Sequence, residues 1–221
     1  MVRFIQRLLP VLLLIGCSFG PGNLQSRHST DLEARRVRRI AVLTPSVMMP
    51  VPGQIIPFSS PPEPRTGERE APETLARLVH SAMAALPNWQ IVSENEVREV
   101  GQALPADGEA SRMKRLGEMV YADAVITGRV QRFRERVGEE WGAKSPASVT
   151  FTLELIDVRR GDVIWSARFD ETQKSLSENI FALGDITVRG VRWLSADELA
   201  QEGVKKAIGQ LHQIIARGPA A

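Results

Sequence analysis

Three stretches of alternating residues constrain the fold of this chain more than anything else in it. In ADAVITGRVQRF, Ala122 to Phe133, Ala124, Ile126, Gly128 and Val130 fall on one side and Val125, Thr127 and Arg129 on the other. SVTFTLELIDV sets Val149, Phe151, Leu153 and Leu155 against Thr150, Thr152 and Glu154, and DVIWSARFDET sets Val163, Trp165, Ala167 and Phe169 against Ile164, Ser166 and Arg168. A period of two with one apolar face is what half-buried antiparallel strands require. Arg159-Arg160-Gly161-Asp162 separates the last two strands, with Gly161 supplying the positive φ of a tight turn. A three-stranded meander with one face to cover is therefore expected.

The covering elements are legible around it. Leu75, Leu78, Val79, Ala82 and Leu86 recur at helical spacing between Pro72, which a first turn tolerates, and Pro87. Met113, Leu116 and Val120 mark a second helix. A last helix opens at Ser195 and Glu198, a capping pair, and carries a stripe of Val204, Ala207, Ile208, Leu211, Ile214 and Ile215. IAVLTP, from Ile40, reads as a buried strand ended by proline; WQIVSENEV begins as a strand, and EVREVGQAL adds a short helical turn. The order βαβα, meander, helix predicts one α+β domain over residues 37–217. Its expected form is a two-layer sandwich of a roughly five-stranded sheet with an antiparallel meander and packed helices.

Two long connections interrupt this domain, at 46–71 and 174–194. The first holds all but Pro45 of the seven prolines that fall from Pro45 to Pro64, a density that no helix or central strand survives. It is nevertheless apolar, with Met48, Met49, Ile55, Ile56 and Phe58, and the second carries Phe181 and Trp193. Apolar side chains on loops either pack back on their own domain or form a surface for a partner or membrane. Both readings stay open for these seven residues.

The amino terminus fixes the compartment. MVRFIQRLLPVLLLIG has Arg3 and Arg7 at its start, no acid, and an apolar run from Leu8 to Ile15. That run is shorter than the ~20 apolar residues a membrane span needs, and fits a secretory signal over residues 1–16. Leu14-Ile15-Gly16-Cys17 resembles the bacterial lipobox, in which the cysteine is linked to diacylglycerol and becomes the first residue after cleavage. Cys17, the one cysteine of the chain, is thus read as a lipid anchor, since two or more acyl chains hold a protein durably on a bilayer. Ser18 follows it; the resemblance implies the outer membrane, facing the periplasm. Residues 17–36 are expected to be a flexible tether. Removal of Arg3 and Arg7 cancels the formal charge of +2, so no nucleic-acid partner is expected. Arg35, Arg36, Arg38 and Arg39 form a basic cluster, read either as a solvated run or as a contact for anionic lipid or lipid-linked sugar.

Two segments carry a family resemblance: Tyr121-Ala122-Asp123-Ala124-Val125-Ile126-Thr127-Gly128-Arg129-Val130, and Leu153-Glu154-Leu155-Ile156-Asp157-Val158 through Gly161-Asp162-Val163-Ile164-Trp165-Ser166. They resemble the superfamily of envelope proteins that includes CsgG-type curli secretion lipoproteins, lipoprotein activators of penicillin-binding proteins, the exopolysaccharide lipoprotein of the Pel system and the amino-terminal domain of TolB. The resemblance implies an anticodon-binding-domain-like fold that docks to other envelope components, often in rings. It also implies structural roles: Gly128 letting a helix approach its strand, and Asp157 capping the hairpin turn. Channel-forming members carry two membrane-crossing hairpins. Here the prolines of the first connection, and Asp185, Arg189 and Arg192 in the second, speak against spanning strands.

No catalytic pattern is present. His28, His80 and His212 have no neighbour at metal-ligand spacing, and there is neither a nucleophile elbow nor a phosphate-cradling glycine loop. No enzyme activity, cofactor or metal is expected. Trp141 and Trp193 are candidates for interface anchors or for packing on their own domain. The leading expectation is a non-enzymatic outer-membrane lipoprotein that docks or scaffolds envelope machinery for secretion, polysaccharide export or cell-wall synthesis. The alternative is a subunit of an oligomeric outer-membrane ring or secretion channel. Expected partners are the membrane, through the anchor, other envelope proteins, and further copies of the chain.

Overall fold

The structure, a computed structural model, describes residues 23–47, 66–105, 108–139, 142–173 and 193–217. The elements run β1 (Leu24–His28), β2 (Arg39–Val42), β3 (Ser46–Val47), α1 (Thr66–Ala84), β4 (Gln90–Ile91), α2 (Glu94–Ala103), α3 (Glu109–Met119), β5 (Ala124–Arg134), β6 (Val137–Glu139), β7 (Gly142–Ser145), β8 (Ser148–Asp157), β9 (Val163–Thr172) and α4 (Ala196–Arg217). The fold is α+β, as expected.

The predicted meander is there. β5, β8 and β9 pair antiparallel, with Gly128 opposite Leu153 and Phe151 opposite Phe169. The sheet is larger than five strands: its order is β1-β9-β8-β5-β2-β4, with β3 also on β5. β2 and β3 behave as one strand interrupted at Leu43-Thr44-Pro45, since both lie parallel to β5 at successive registers. Parallel β4, β2 and β5 make one half of the sheet and the antiparallel meander the other.

The two-layer expectation needs correction. Ile40, Val42, Ala124, Ile126, Leu153, Leu155 and Phe169 face a core closed by Leu75, Val79 and Met83 of α1 and by Leu199, Val204, Ile208 and Leu211 of α4. A second core lies on the opposite face, where Ala41, Val125 and Ile156 meet Val97 of α2 and Met113 and Leu116 of α3. The connection from β2 to β4 and the connection from β4 back to β5 move across the sheet in opposite directions. Crossovers of one hand must then lie on opposite faces. α2 and α3 therefore add a partial third layer over the parallel half, and α2 is a full helix where a single turn was expected.

β1 is the second correction. Residues 24–28 were expected in a tether, yet they form an edge strand antiparallel to β9, Leu24 opposite Phe169 and His28 opposite Trp165. LQSRH has no apolar period because an edge strand is held by its backbone ladder, which asks nothing of the side chains. Leu32, in the turn that follows, is fully buried. The tether thus cannot extend to Arg36.

Local chemistry agrees elsewhere with the sequence. The Ser195 amide donates to Glu198 at 2.9 Å and the Glu198 amide to Ser195 Oγ at 3.1 Å, the predicted capping box. Ser93 caps α2 through the Glu96 amide. Gly161 has φ of 76°, and Asp157 Oδ1 accepts from the Arg160 amide at 2.9 Å, capping the turn. α1 begins at Thr66, so Pro72 sits inside it and not in its first turn. Gly128 meets no helix: a Cβ there would lie 2.8 Å from the Thr152 carbonyl oxygen, so the close approach is to the neighbouring strand β8. The helix-to-sheet contacts that require glycine are at Gly117, against Val158, and Gly203, against the Phe169 ring.

Candidate docking surface

The sheet has two distinct ends. At one, β5 finishes at Arg134, β8 starts at Ser148 and β9 finishes at Thr172. Every end of the two long connections lies here. Val47 pairs with Val130, and Glu68 in the first turn of α1 reaches Arg134 at 4.0 Å. Gln173 donates its amide to the Ala147 carbonyl, and its Oε1 accepts from the Leu194 amide at 2.7 Å. Arg136 donates to the Trp193 carbonyl, and Glu135 Oε2 accepts from the Ala196 amide at 3.0 Å. The β6–β7 ribbon, with Val137 half exposed, leaves from the same end.

The amino terminus joins them. Asp170 donates its amide to the Asn23 carbonyl at 2.9 Å, and the Asn23 side-chain amide donates to Glu171. We refer to this as the loop end. The opposite, turn end holds the β8–β9 turn, the segment before β2 and the C-terminus of α3.

The turn end is closed by an ion-pair network. Arg35, only 10% exposed in its side chain, meets Asp157 at 2.6 Å, Asp31 at 2.7 Å and Asp162 at 3.5 Å. Burial works against the Asp157 carboxylate, but the Arg160 amide and the Arg35 guanidinium outweigh it and hold its pKa below the ordinary value. Asp31 is likewise lowered, chiefly by its hydrogen bond from Arg35. Burial opposes the Arg35 charge, yet the three carboxylates raise its pKa. An open cleft of about 360 Å³ lies over these residues, lined by Asp31, Ala34, Arg35, Asp157, Arg159 and Arg160. Its buried charges are committed to one another, so the network acts as a clamp that ties the turn after β1 to the hairpin.

Of the residues singled out by sequence, Cys17, Met48, Met49, Ile55, Ile56, Phe58 and Phe181 lie outside the described residues, as does Trp141. Trp193 is described: it is partly buried at the loop end. The basic cluster divides, with Arg35 in the network, Arg39 donating to the Val120 carbonyl and facing Glu96, and Arg36 and Arg38 exposed. His212 contacts the Pro87 carbonyl and stands edge-on to Trp89. Among the described residues no group of three His, Cys, Asp or Glu side chains is placed to hold a metal. No described helix is long and apolar enough to cross a membrane. What sequence reasoning missed is Tyr121, 83% exposed at the turn end; an aromatic residue directly after a helix terminus was its visible signal.

An open mixed sheet with its long connections leaving from one end defines the class of α+β domain. Residues 89–219 match the family described as curli production assembly/transport component CsgG, and the chain belongs to that family. Similar solved structures include the PelC dodecamer from Paraburkholderia phytofirmans, at 17% identity over 86% of this chain and 98% of that one, with a TM-score of 0.48. Lipoprotein GNA1162 from Neisseria meningitidis is similar at 18% identity over 68% and 91% of the two chains, TM-score 0.40. The C-terminal domain of Escherichia coli LpoB is similar at 18% identity over 62% and 83%, TM-score 0.38. No functionally curated protein matches the chain.

Proposed function

We propose that this protein is a non-enzymatic lipoprotein of the outer membrane, acylated at Cys17 and facing the periplasm, that docks or scaffolds envelope machinery with its loop end held at the bilayer. Secretion, polysaccharide export and cell-wall synthesis are the processes it would serve. One observation carries the reading: Asn23 is bonded to Asp170 and Glu171 at the end where the described residues flanking 48–65 and 174–192 also lie. Cys17 lies six residues before Asn23, and six residues reach at most ~20 Å even fully extended. An acylated Cys17 would therefore bring Trp193 and the chain ends that flank 48–65 and 174–192 close to the lipid surface, and Met48, Met49, Ile55, Ile56, Phe58, Phe181 and Trp193 are the apolar residues we assign to contact with the membrane or a partner.

The test is fractionation of wild type and Cys17→Ser from envelopes, with radiolabelled acyl precursor. Wild type should label and stay with the outer membrane, and the variant should do neither. Equal labelling or equal membrane retention would end the anchor reading.

A further inference from the structure

The turn end presents a surface that the anchoring reading leaves unused. α3 finishes in a Schellman motif: the Ala122 amide donates to the Gly117 carbonyl at 2.8 Å and the Tyr121 amide to the Glu118 carbonyl at 3.2 Å. The residue at the left-handed position of that motif is normally glycine. Here it is Tyr121, with φ of 53°. Its side chain is 83% exposed, so no packing on its own domain offsets the strain of a bulky residue there. Met119, two residues before it in the chain, is 52% exposed.

Segments that carry exposed arginines meet the chain just after this apolar group. Arg38 and Arg39 donate their amides to Asp123, two residues after Tyr121, and Val158 donates its amide to the Asp123 carbonyl. The backbone of Arg38 and that of Val158, the residue before Arg159, thus meet at Asp123. Arg36, Arg38 and Arg159 are exposed, and no ion pair joins them to a described residue. An exposed tyrosine and methionine among unpaired arginines has the composition of a protein-interface hot spot, whose complement is acidic and apolar.

We propose that the turn end docks an acidic peptide segment of a soluble or periplasm-facing protein, with Tyr121 as its apolar anchor and Arg36, Arg38 and Arg159 pairing its carboxylates. A membrane is the less suitable occupant. β5 runs from the turn end to the loop end over 11 residues, roughly 36 Å at the rise of a strand. Which way the surface faces rests on the anchoring reading; the binding itself does not.

The experiment titrates the full chain in detergent with a short fluorescein-labelled peptide of glutamate, glycine and leucine, and reads anisotropy. Binding should weaken at least tenfold in Tyr121→Gly and in the double variant Arg36→Ser/Arg38→Ser, and should fall as salt rises. Tyr121→Gly should melt no lower than wild type, because glycine suits the position better, so lost binding cannot be blamed on unfolding. Cys17→Ser should bind the peptide as wild type does, which separates this proposal from the anchor. Unchanged affinity in Tyr121→Gly, equal binding of a lysine, glycine and leucine peptide, or binding confined to phosphatidylglycerol vesicles would overturn it.

Discussion

The Asp170 amide donates to the Asn23 carbonyl at 2.9 Å. This bond joins the last turns of β9 to the residue from which the chain leads back to Cys17. With Cys17 acylated as proposed, it would set the direction in which the domain stands. The loop end would then face the lipid, and the Arg35 clamp with the surface around Tyr121 would face away from it.

The clamp should be a large part of the stability of the turn end. Arg35 and Asp157 are 10% and 5% exposed in their side chains, and removing one member of a buried pair costs about 3 kcal/mol or more because the other charge is stranded. Arg35→Ala should lower the unfolding free energy measured by urea denaturation by that amount. Arg35→Met combined with Asp157→Leu should recover most of it. Equal loss in the single and double variants would deny that the pair is coupled.

Acid should weaken the fold in two steps. Burial lowers the pKa of His80 against the opposing pull of Glu94, so the folded state favours neutral imidazole, and stability declines as pH falls below its ordinary 6.5. Asp157, Asp31 and Asp170 are lowered below 3.8 in the fold. Their contribution is complete above that value and is lost as pH falls through the folded pKa. Thermal melts from pH 8 to pH 2 should show both declines, and His80→Gln should abolish the first alone. A melt independent of pH between 7 and 5 in wild type would contradict the assignment.

Two glycines of α4 should answer oppositely to the same change. A Cβ on Gly203 would sit 2.7 Å from the Phe169 ring, whereas one on Gly209 meets nothing within 4 Å. Gly203→Ala should cost ~1–3 kcal/mol by overpacking. Gly209→Ala should gain up to ~1 kcal/mol from helix propensity. Chemical denaturation of the two variants checks both signs.

Much of this was legible in the residues. Phe151, Leu153, Leu155, Trp165 and Phe169 announce their strands because burial of one face imposes a period of two. Ser195 and Glu198 announce a helix start through the amides they must satisfy. β1 was not legible, since Gln25, Ser26 and Arg27 sit on an edge held by its backbone ladder, where no apolar period is imposed. The third layer was hidden for another reason. Val125 and Ile156 look like isolated apolar residues on polar faces, and only the direction of the crossovers reveals that α2 and α3 cover them. The apolar candidates from Met48 to Phe58, with Phe181, lie outside the described residues, so their part in docking is a proposal drawn from where their chain ends meet.

Orientation on the membrane is the central claim, and one measurement addresses it most directly. The chain has a single native cysteine, taken up by lipid in this account, so an engineered cysteine can be labelled alone. Val137 at the loop end and Met119 at the turn end are each about half exposed. Val137→Cys and Met119→Cys, labelled with an environment-sensitive fluorophore on the acylated protein in vesicles, are then exposed to a quencher attached to lipid. The account predicts strong quenching at position 137 and little at 119. Equal quenching at both positions, or stronger quenching at 119, would contradict it.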